Sequence, residues 1–227
     1  MTEARSVVLF GVGSPLAVDV EESCRRLRIA IAGAVKNVAG PHYLLDASVV
    51  RDLASLDAAL LRIPCIVPLF TPFNRDKATR EAKTLGFAIA SALIDPTAIL
   101  ASSTSIGTGS YVNAGAVIGA ATRIGEDVVV NRSCSIGHHV QIQSMVSIGP
   151  AAVLAGEVRI GRGSIVGAGA IILPRIKIGG GCVIGAGAVV TKDIPAGSLV
   201  LGSPARIVQD GLPLLDACGS APREDHD

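Results

Sequence analysis

From Ile94 onward an aliphatic residue returns at every sixth position: Ile94, Leu100, Ile106, Val112, Ile118, Ile124, Val130, Ile136, Ile142, Ile148, Leu154, Ile160, Val166, Ile172, Ile178, Ile184 and Val190. These 17 hexapeptides run without a slip. A half-buried strand repeats every 2 residues and an amphipathic helix every 3.6, so neither produces this period. A parallel β-helix does. Three hexapeptides close one triangular coil, and residues one coil apart stack in columns at about 4.8 Å, the spacing of neighbouring strands. The residue after the aliphatic is Gly in 9 of the 17 repeats, and the fifth position is always small or β-branched, as at Ser110, Ala116, Cys134, Val140, Ser164, Cys182 and Ala188. Each side of the prism therefore offers its interior one aliphatic and one small side chain.

That narrow interior accounts for an otherwise puzzling composition. The 227 residues are 49% hydrophobic but only 3% aromatic, with no Trp, and 20 Lys+Arg against 19 Asp+Glu leave a net charge of +1. Within residues 94–195 the one aromatic is Tyr111, whereas 17 of the 26 glycines fall there, many expected at corners with unusual backbone angles. Balanced charge and scarce aromatics provide neither a basic footprint nor a base-stacking platform, so nucleic acid is excluded as a partner. A mean hydropathy of +0.53 raises the question of a membrane. The longest uncharged stretches, 96–122 and 133–156, are interspersed with Gly, Ser, Thr and Asn, so no membrane span is expected. Residues 6–18 imitate a short export signal, but Ser14-Pro15 interrupts it. The five cysteines (24, 65, 134, 182, 218) are odd in number and contain no CxxC, which favours a cytoplasmic protein with free thiols; Cys134 and Cys182, at inward fifth positions, are packing residues.

Residues 1–93 read as a small α/β domain, 94–208 as the prism and 209–227 as a mobile tail. Ser6–Phe10 is a strand, Gly11-Val12-Gly13 a turn, and Ser14 and Pro15 open a helix with Leu16, Val20, Cys24 and Leu27 on one face. A second strand over Ile29–Val35 follows, then a helix near Leu53–Leu61, a strand at Cys65–Phe70 and a helix from about Arg75 closed by Gly86. Alternating β and α units predict a Rossmann-like parallel sheet. A dinucleotide site is not expected, because Leu16 stands where the third glycine belongs and Lys36-Asn37 follow the second strand instead of an acid. Two readings of the glycine turn stay open: a phosphate site at the helix N-terminus, or a tight turn with no ligand.

The prism carries His138 and His139 at the third and fourth positions of the hexapeptide that starts at Ile136, where side chains point outward. One, two and three coils beyond His138 stand Gly156, Pro174 and Lys192. That edge presents a base, a bare backbone N–H, an apolar stop and a cation about 14 Å from the base. An acyl-CoA needs such a series: a general base near the thioester, an amide for the developing oxyanion, a wall for the pantetheine arm and positive charge for phosphate. The next column reads His139, Glu157, Arg175, Asp193. Glu157 either orients His138 and stabilises its protonated form, or joins Arg175 and Asp193 in a surface charge ladder. A γ-class carbonic anhydrase would use three separated histidines for zinc; an adjacent pair does not supply them, and no metal is expected.

Over residues 6–208 the chain resembles the sugar acetyltransferase family that includes sialic acid O-acetyltransferases and the N-acetyltransferases of UDP-4-amino-dideoxy sugars. The most specific stretches are Asn131–Leu154 and Ala186–Arg206, with Gly-Ala-Val-Val-Thr-Lys-Asp-Ile-Pro and Gly-Ser-Pro-Ala-Arg. The resemblance implies a left-handed β-helix, a homotrimer, and acetyl-CoA bound along the prism between two subunits. It places the base on His138, the backbone of Gly156 near the thioester, and Lys192 and Arg206 near the nucleotide end of the cofactor, past Pro174. The N-terminal domain would hold the nucleotide of the sugar through Gly11, Gly13, Ser14, Asn37 and Arg75, with His139 also at the substrate. The sequence departs from the family at His139, where an Asp or Glu is usual, at Ser147, which replaces a second histidine, at Lys36-Asn37, which replaces an acidic pair, and at Phe70-Thr71-Pro72, which replaces a glycine loop. The implied activity is direct acetyl transfer from acetyl-CoA to an amine or hydroxyl of a nucleotide-linked sugar for surface polysaccharide synthesis. The alternatives are an O-acetyltransferase acting on a free sugar, or a catalytically inactive trimeric scaffold.

Overall fold

The computed structural model describes residues 6–214. Its N-terminal part is built from β1 (Ser6–Phe10), α1 (Leu16–Arg26), β2 (Ala30–Lys36), β3 (Val50–Asp52), β4 (Cys65–Ile66) and α2 (Pro72–Thr84), with all strand pairs parallel in the order β3-β2-β1-β4. The central strand buries Val7, Val8, Leu9 and Phe10. The α1 face of Leu16, Val20 and Cys24 packs on one side of the sheet, and Ala78, Ala82 and Phe87 from α2 and beyond pack on the other.

Three local expectations are corrected. Residues 53–61 do not form an α-helix; they make two 3-10 turns, Leu53–Ser55 and Ala58–Arg62, separated by Leu56 and Asp57, and the Asp57 carboxylate accepts from the Ala59 N–H at 2.8 Å. A short side chain that bonds its own backbone competes with helix propagation. The strand at Cys65 stops after Ile66, because the Leu69 N–H turns back to the Val67 carbonyl at 2.9 Å. The helix expected from Arg75 starts at Pro72, whose preset φ and missing N–H suit a first helical position.

From β5 (Leu93–Ile94) to β21 (Val189–Val190) the chain is a succession of two-residue strands stacked into three parallel sheets. Partners are one coil apart throughout: Val117 pairs with Ser135, Ser135 with Val153 and Val153 with Ile171. Ile118, Ile136, Leu154 and Ile172 form one interior column and Ala116, Cys134, Ala152 and Ala170 the small column beside it, all nearly inaccessible. The corners differ from the expectation in one respect. The left-handed backbone falls on the fourth position of the hexapeptide and is taken by glycines, as expected, at 109, 115, 163, 169, 181 and 187, but also by non-glycine residues such as Ala121, Ser133, His139, Glu157 and Arg175. The second-position glycine answers a different constraint: a Cβ on Gly137 would lie 2.8 Å from the Gly156 nitrogen of the next coil.

The repeat ends by shortening. Ile178 pairs with Ile194, and Val183 with Leu199 of β22 (Leu199–Leu201), so two residues drop out of the last coil. Asp193 Oδ1 replaces a backbone acceptor for the Lys177 N–H at 2.8 Å. β23 (Arg206–Gln209) then returns antiparallel to β22. The tail expected from 209 is thus partly ordered: Gln209 is in β23, and the Leu212 N–H bonds the Gly197 carbonyl at 2.7 Å. Residues 215–227 lie outside the described residues, and with them Cys218.

The α/β part is fastened to the prism at two polar points. Tyr111, the prism's one aromatic, faces out of it into the α1 packing, and its hydroxyl bonds the Asp19 carbonyl at 3.0 Å and Ser23 Oγ at 2.9 Å. Ser23 also donates to Asp95 at 2.7 Å. The second point is Arg75, fully buried, whose five N–H groups all reach main-chain carbonyls: Nε to Asp127 (2.8 Å), Nη1 to Leu69 (2.6 Å) and Phe70 (2.7 Å), Nη2 to Met145 (3.0 Å) and Val146 (3.1 Å). Burial pulls its pKa down to about 10, against the opposing pull of Asp127 and Asp76, so it stays charged at neutral pH. Ser147 is buried at the same junction and donates to the Phe70 carbonyl.

Candidate active site

His138 and His139 occupy the corner between the strands Ser135–Ile136 and Gln141–Ile142. This corner divides two unlike faces. The outward positions of one sheet are Ile99, Val117, Ser135, Val153, Ile171 and Val189; those of the next are Ser105, Arg123, Gln141, Arg159 and Lys177. Both imidazoles are exposed, and their backbones are tied to adjacent coils: the His139 N–H bonds the Ala120 carbonyl at 2.8 Å, and the His138 carbonyl accepts from the Glu157 N–H at 2.9 Å.

The His138 ring rests on Gly156. A Cβ added there would lie 2.7 Å from Nε2 and 2.8 Å from Cε1 of His138, so the glycine is what makes room for the imidazole. Among the described residues the Gly156 N–H has no hydrogen-bond partner. A proton acceptor and a free backbone donor therefore stand side by side, which is the pairing that a carbonyl attacked by a nucleophile requires. On its other side His138 Nδ1 meets His139 Nδ1 at 3.0 Å. Glu157 adds its backbone to the His138 carbonyl, but its carboxylate makes no hydrogen bond or ion pair among the described residues. The charge ladder does not form either, since Glu157, Arg175 and Asp193 make no ion pairs with one another.

The histidine corner opens on a cleft of about 550 Å³ lined by His138, His139, Gln141, Glu157, Arg159, Arg175 and Lys177. Three cations against one carboxylate make it suited to anions. Arg159 and Lys177 were not singled out by the sequence reading; the signal was their place one and two coils from Gln141 in the column beside His139. Pro174, Lys192 and Arg206 are exposed farther along the prism and do not line this cleft.

A second cleft, of about 530 Å³, lies in the N-terminal part and gathers Gly11, Gly13 and Asn37 with Val38, Leu69, Phe73, Asn74, Lys77 and Ala78. Gly11 has φ +83°, and Asn37 donates to Glu81 at 2.7 Å. Ser14 does not line it; its Oγ accepts from the Leu16 N–H at 3.3 Å, an end-of-helix role. Arg75 is likewise elsewhere, in the carbonyl cage described above, with no N–H left for a ligand. The sequence reading missed Phe73, Asn74 and Lys77, which share one face of α2 once Pro72 is taken as its first residue.

Among the described residues no three His, Cys, Asp or Glu side chains are gathered as a metal ion needs, and no helix is long and apolar enough to cross a membrane. Cys24, Cys65, Cys134 and Cys182 are unbridged and buried, and burial pushes the thiols of Cys24 and Cys65 up to about 12 and that of Cys134 up to about 11, so they act as packing groups and not as nucleophiles.

The stacked six-residue coils are the architecture of hexapeptide-repeat transferases, and the family described as bacterial transferase hexapeptide (six repeats) matches residues 157–192. Among solved structures the chain is similar to PerB from Caulobacter crescentus in complex with CoA and GDP-perosamine, at 31% identity and TM-score 0.81, over 92% of this chain and 99% of that one. It is similar to the acetyltransferase domain of PglB from Neisseria gonorrhoeae in complex with acetyl coenzyme A, at 31% identity and TM-score 0.79, over 90% of this chain and 99% of the other. WeeI from Acinetobacter baumannii shares the fold at 22% identity and TM-score 0.76. No protein of curated function matches the sequence. The chain belongs to the hexapeptide-repeat sugar acetyltransferase family, with its Rossmann-like sheet followed by a left-handed parallel β-helix, and is an acetyl-CoA-dependent enzyme.

Proposed function

We propose that the protein transfers the acetyl group of acetyl-CoA to an amine of a nucleotide-linked sugar, with His138 as general base and the Gly156 N–H as oxyanion donor. The observation that carries this reading is the seat of His138 Nε2 against Gly156 beside an unpaired amide. His138 Nε2 removes a proton from the amine as its nitrogen attacks the thioester carbonyl. The oxygen's developing charge falls to Gly156, the C–S bond breaks, and the proton passes from His138 to the CoA sulfur. No acyl-enzyme forms. The nucleotide lies in the cleft of Gly11, Gly13, Asn37 and Lys77, where a glycine turn lets a ligand approach the backbone and Lys77 supplies charge for phosphate. PerB, crystallised with CoA and GDP-perosamine, and an enzyme from the same organism crystallised with a single histidine replaced by Asn, support this substrate class. Unbridged cysteines support a cytoplasmic location.

A panel assay following CoA thiol release tests the reading. Turnover is expected with nucleotide-linked amino sugars; turnover only with free sugars, or only with hydroxyl acceptors, contradicts it. Gly156→Ala sharpens the mechanism. Gly156 is not in the left-handed region, so the fold accepts the methyl group, but the imidazole must move off. A displacement near 1 Å predicts kcat lower by about 10²-fold with an unchanged melting temperature.

The functional unit is a homotrimer in this account. Its support is the outward apolar face, where Ile99 is 66% and Val117 46% exposed on adjacent coils, with Ile171 exposed farther along the same column beyond Ser135 and Val153. Sedimentation of the wild type is expected to give three times the 23.0 kDa chain mass, and the double variant Ile99→Glu, Val117→Glu a single chain mass. A monomeric wild type would contradict the assembly.

A further inference from the structure

Resting on the acetyl-transfer reading above, we propose that His139 is a positioning residue: its neutral imidazole accepts a hydrogen bond from His138 Nδ1–H, and this leaves His138 Nε2 as the bare proton acceptor beside Gly156.

The two Nδ1 atoms stand 3.0 Å apart, and the rings meet edge-on, with an interplanar angle of 85° and centroids 5.2 Å apart. A contact between two imidazole nitrogens at that distance holds one proton. Two N–H groups would set hydrogen against hydrogen, and two bare nitrogens would set lone pair against lone pair. Two arrangements satisfy the condition. If His139 carries the shared proton, neutral His138 has its own N–H on Nε2, and no lone pair faces the reaction. If His138 carries it, Nε2 is bare, and His139 is the tautomer with its proton on Nε2. Only the second arrangement gives a base at the position where Gly156 holds the ring.

The same bond serves the protonated stage. When His138 takes the amine proton on Nε2, Nδ1–H becomes the donor of a charge-assisted hydrogen bond to His139, which stabilises the imidazolium without a carboxylate. The balance is closed: an N–H bond of the sugar amine breaks, its nitrogen bonds the acetyl carbon, the C–S bond breaks, and the proton held on Nε2 passes to the CoA sulfur. His139 gains and loses nothing. The groups facing the pair across the cleft are Gln141, Glu157, Arg159, Arg175 and Lys177, and among the described residues none hydrogen-bonds either ring. The pair therefore sets its own tautomers. His139 has the left-handed conformation of the prism's fourth positions, φ +57°, and its N–H is tied to the Ala120 carbonyl, so its backbone is fixed by the coil.

The test is steady-state kinetics of the full chain with acetyl-CoA and the best acceptor of the panel. His139→Ala is expected to lower kcat about 10–100-fold, the range for losing a group that orients another, with KM for both substrates unchanged. His139→Asn places an acceptor oxygen where Nδ1 was and tolerates the left-handed backbone, so it is expected to restore kcat to within about threefold of wild type. The double variant His138→Ala, His139→Ala is expected to be no slower than His138→Ala, because His139 acts through His138. A raised KM with unchanged kcat in His139→Ala, no recovery in a folded His139→Asn, or further slowing in the double variant would each overturn the proposal. Full activity in His138→Ala is a different failure and removes the general-base reading itself.

Discussion

His138→Ala is expected to lower kcat for acetyl transfer about 10²–10⁴-fold, the range for losing a positioned general base. The side chain is exposed, and its hydrogen-bonded ring partner is another exposed side chain, so stability is expected to stay within about 0.5 kcal/mol of wild type. Melting curves and CoA thiol release on the same preparation check both halves. The separation between the two readouts matters. The residues that the family resemblance assigns to acetyl-CoA, Gly156, Pro174, Lys192 and Arg206, are unaltered in this variant, so acetyl-CoA affinity is expected to be retained, and what is lost is the acceptance of the amine proton. A fall in acetyl-CoA binding comparable to the fall in kcat would give His138 a binding role instead.

The second large effect is on folding. Arg75→Met fills the cage with a side chain of similar length and removes the donor to five main-chain carbonyls; Phe70 and Val146 keep the Ser147 hydroxyl and the Val129 N–H, whereas those of Leu69, Asp127 and Met145 lose the guanidinium bond with nothing put in its place. Hydrogen bonds to charged groups contribute more than neutral ones, and buried acceptors stripped of a partner add their desolvation, so a loss of about 3–5 kcal/mol is expected in urea denaturation. The Asp127 carboxyl, already pushed up by burial and held down chiefly by Arg75, would rise further. Arg75→Lys keeps the charge but only three donors and is expected to fall between the two. The family resemblance assigns Arg75 to substrate instead; a variant that keeps wild-type stability and raises the KM of the sugar would favour that assignment over the structural clamp.

The prism was legible because its cause is periodic. A period of six with a small fifth position has one structural solution, and the interior columns of Ile118, Ile136, Leu154 and Ile172 follow from it. The corner geometry was not legible, since residues as different as Met145, His139 and Arg175 all take the left-handed fourth position, and their identities carry no mark of it. The shortened last coil turns on one carboxylate, Asp193, replacing a ladder acceptor. His138 over Gly156 could be reached by counting one coil, but the His138–His139 contact depends on ring orientation, which spacing does not fix. Arg75 shows the deepest limit. Its partners Asp127 and Met145 lie 52 and 70 positions away, so its role appears only when α2 is set against a prism corner. In the N-terminal part, one proline decides the outcome: with Pro72 as the first residue of α2, Phe73, Asn74 and Lys77 fall together at the candidate nucleotide cleft.

The central claim, direct transfer by His138 from acetyl-CoA to a nucleotide-linked amino sugar, is tested most directly with acetyl-labelled acetyl-CoA. The predicted result is no label on the protein when sugar is absent, label on the sugar nitrogen when the nucleotide-linked amine is added, and transfer slowed at least about 10²-fold in His138→Ala. Covalently labelled protein in the absence of sugar, or undiminished transfer by His138→Ala, would contradict it.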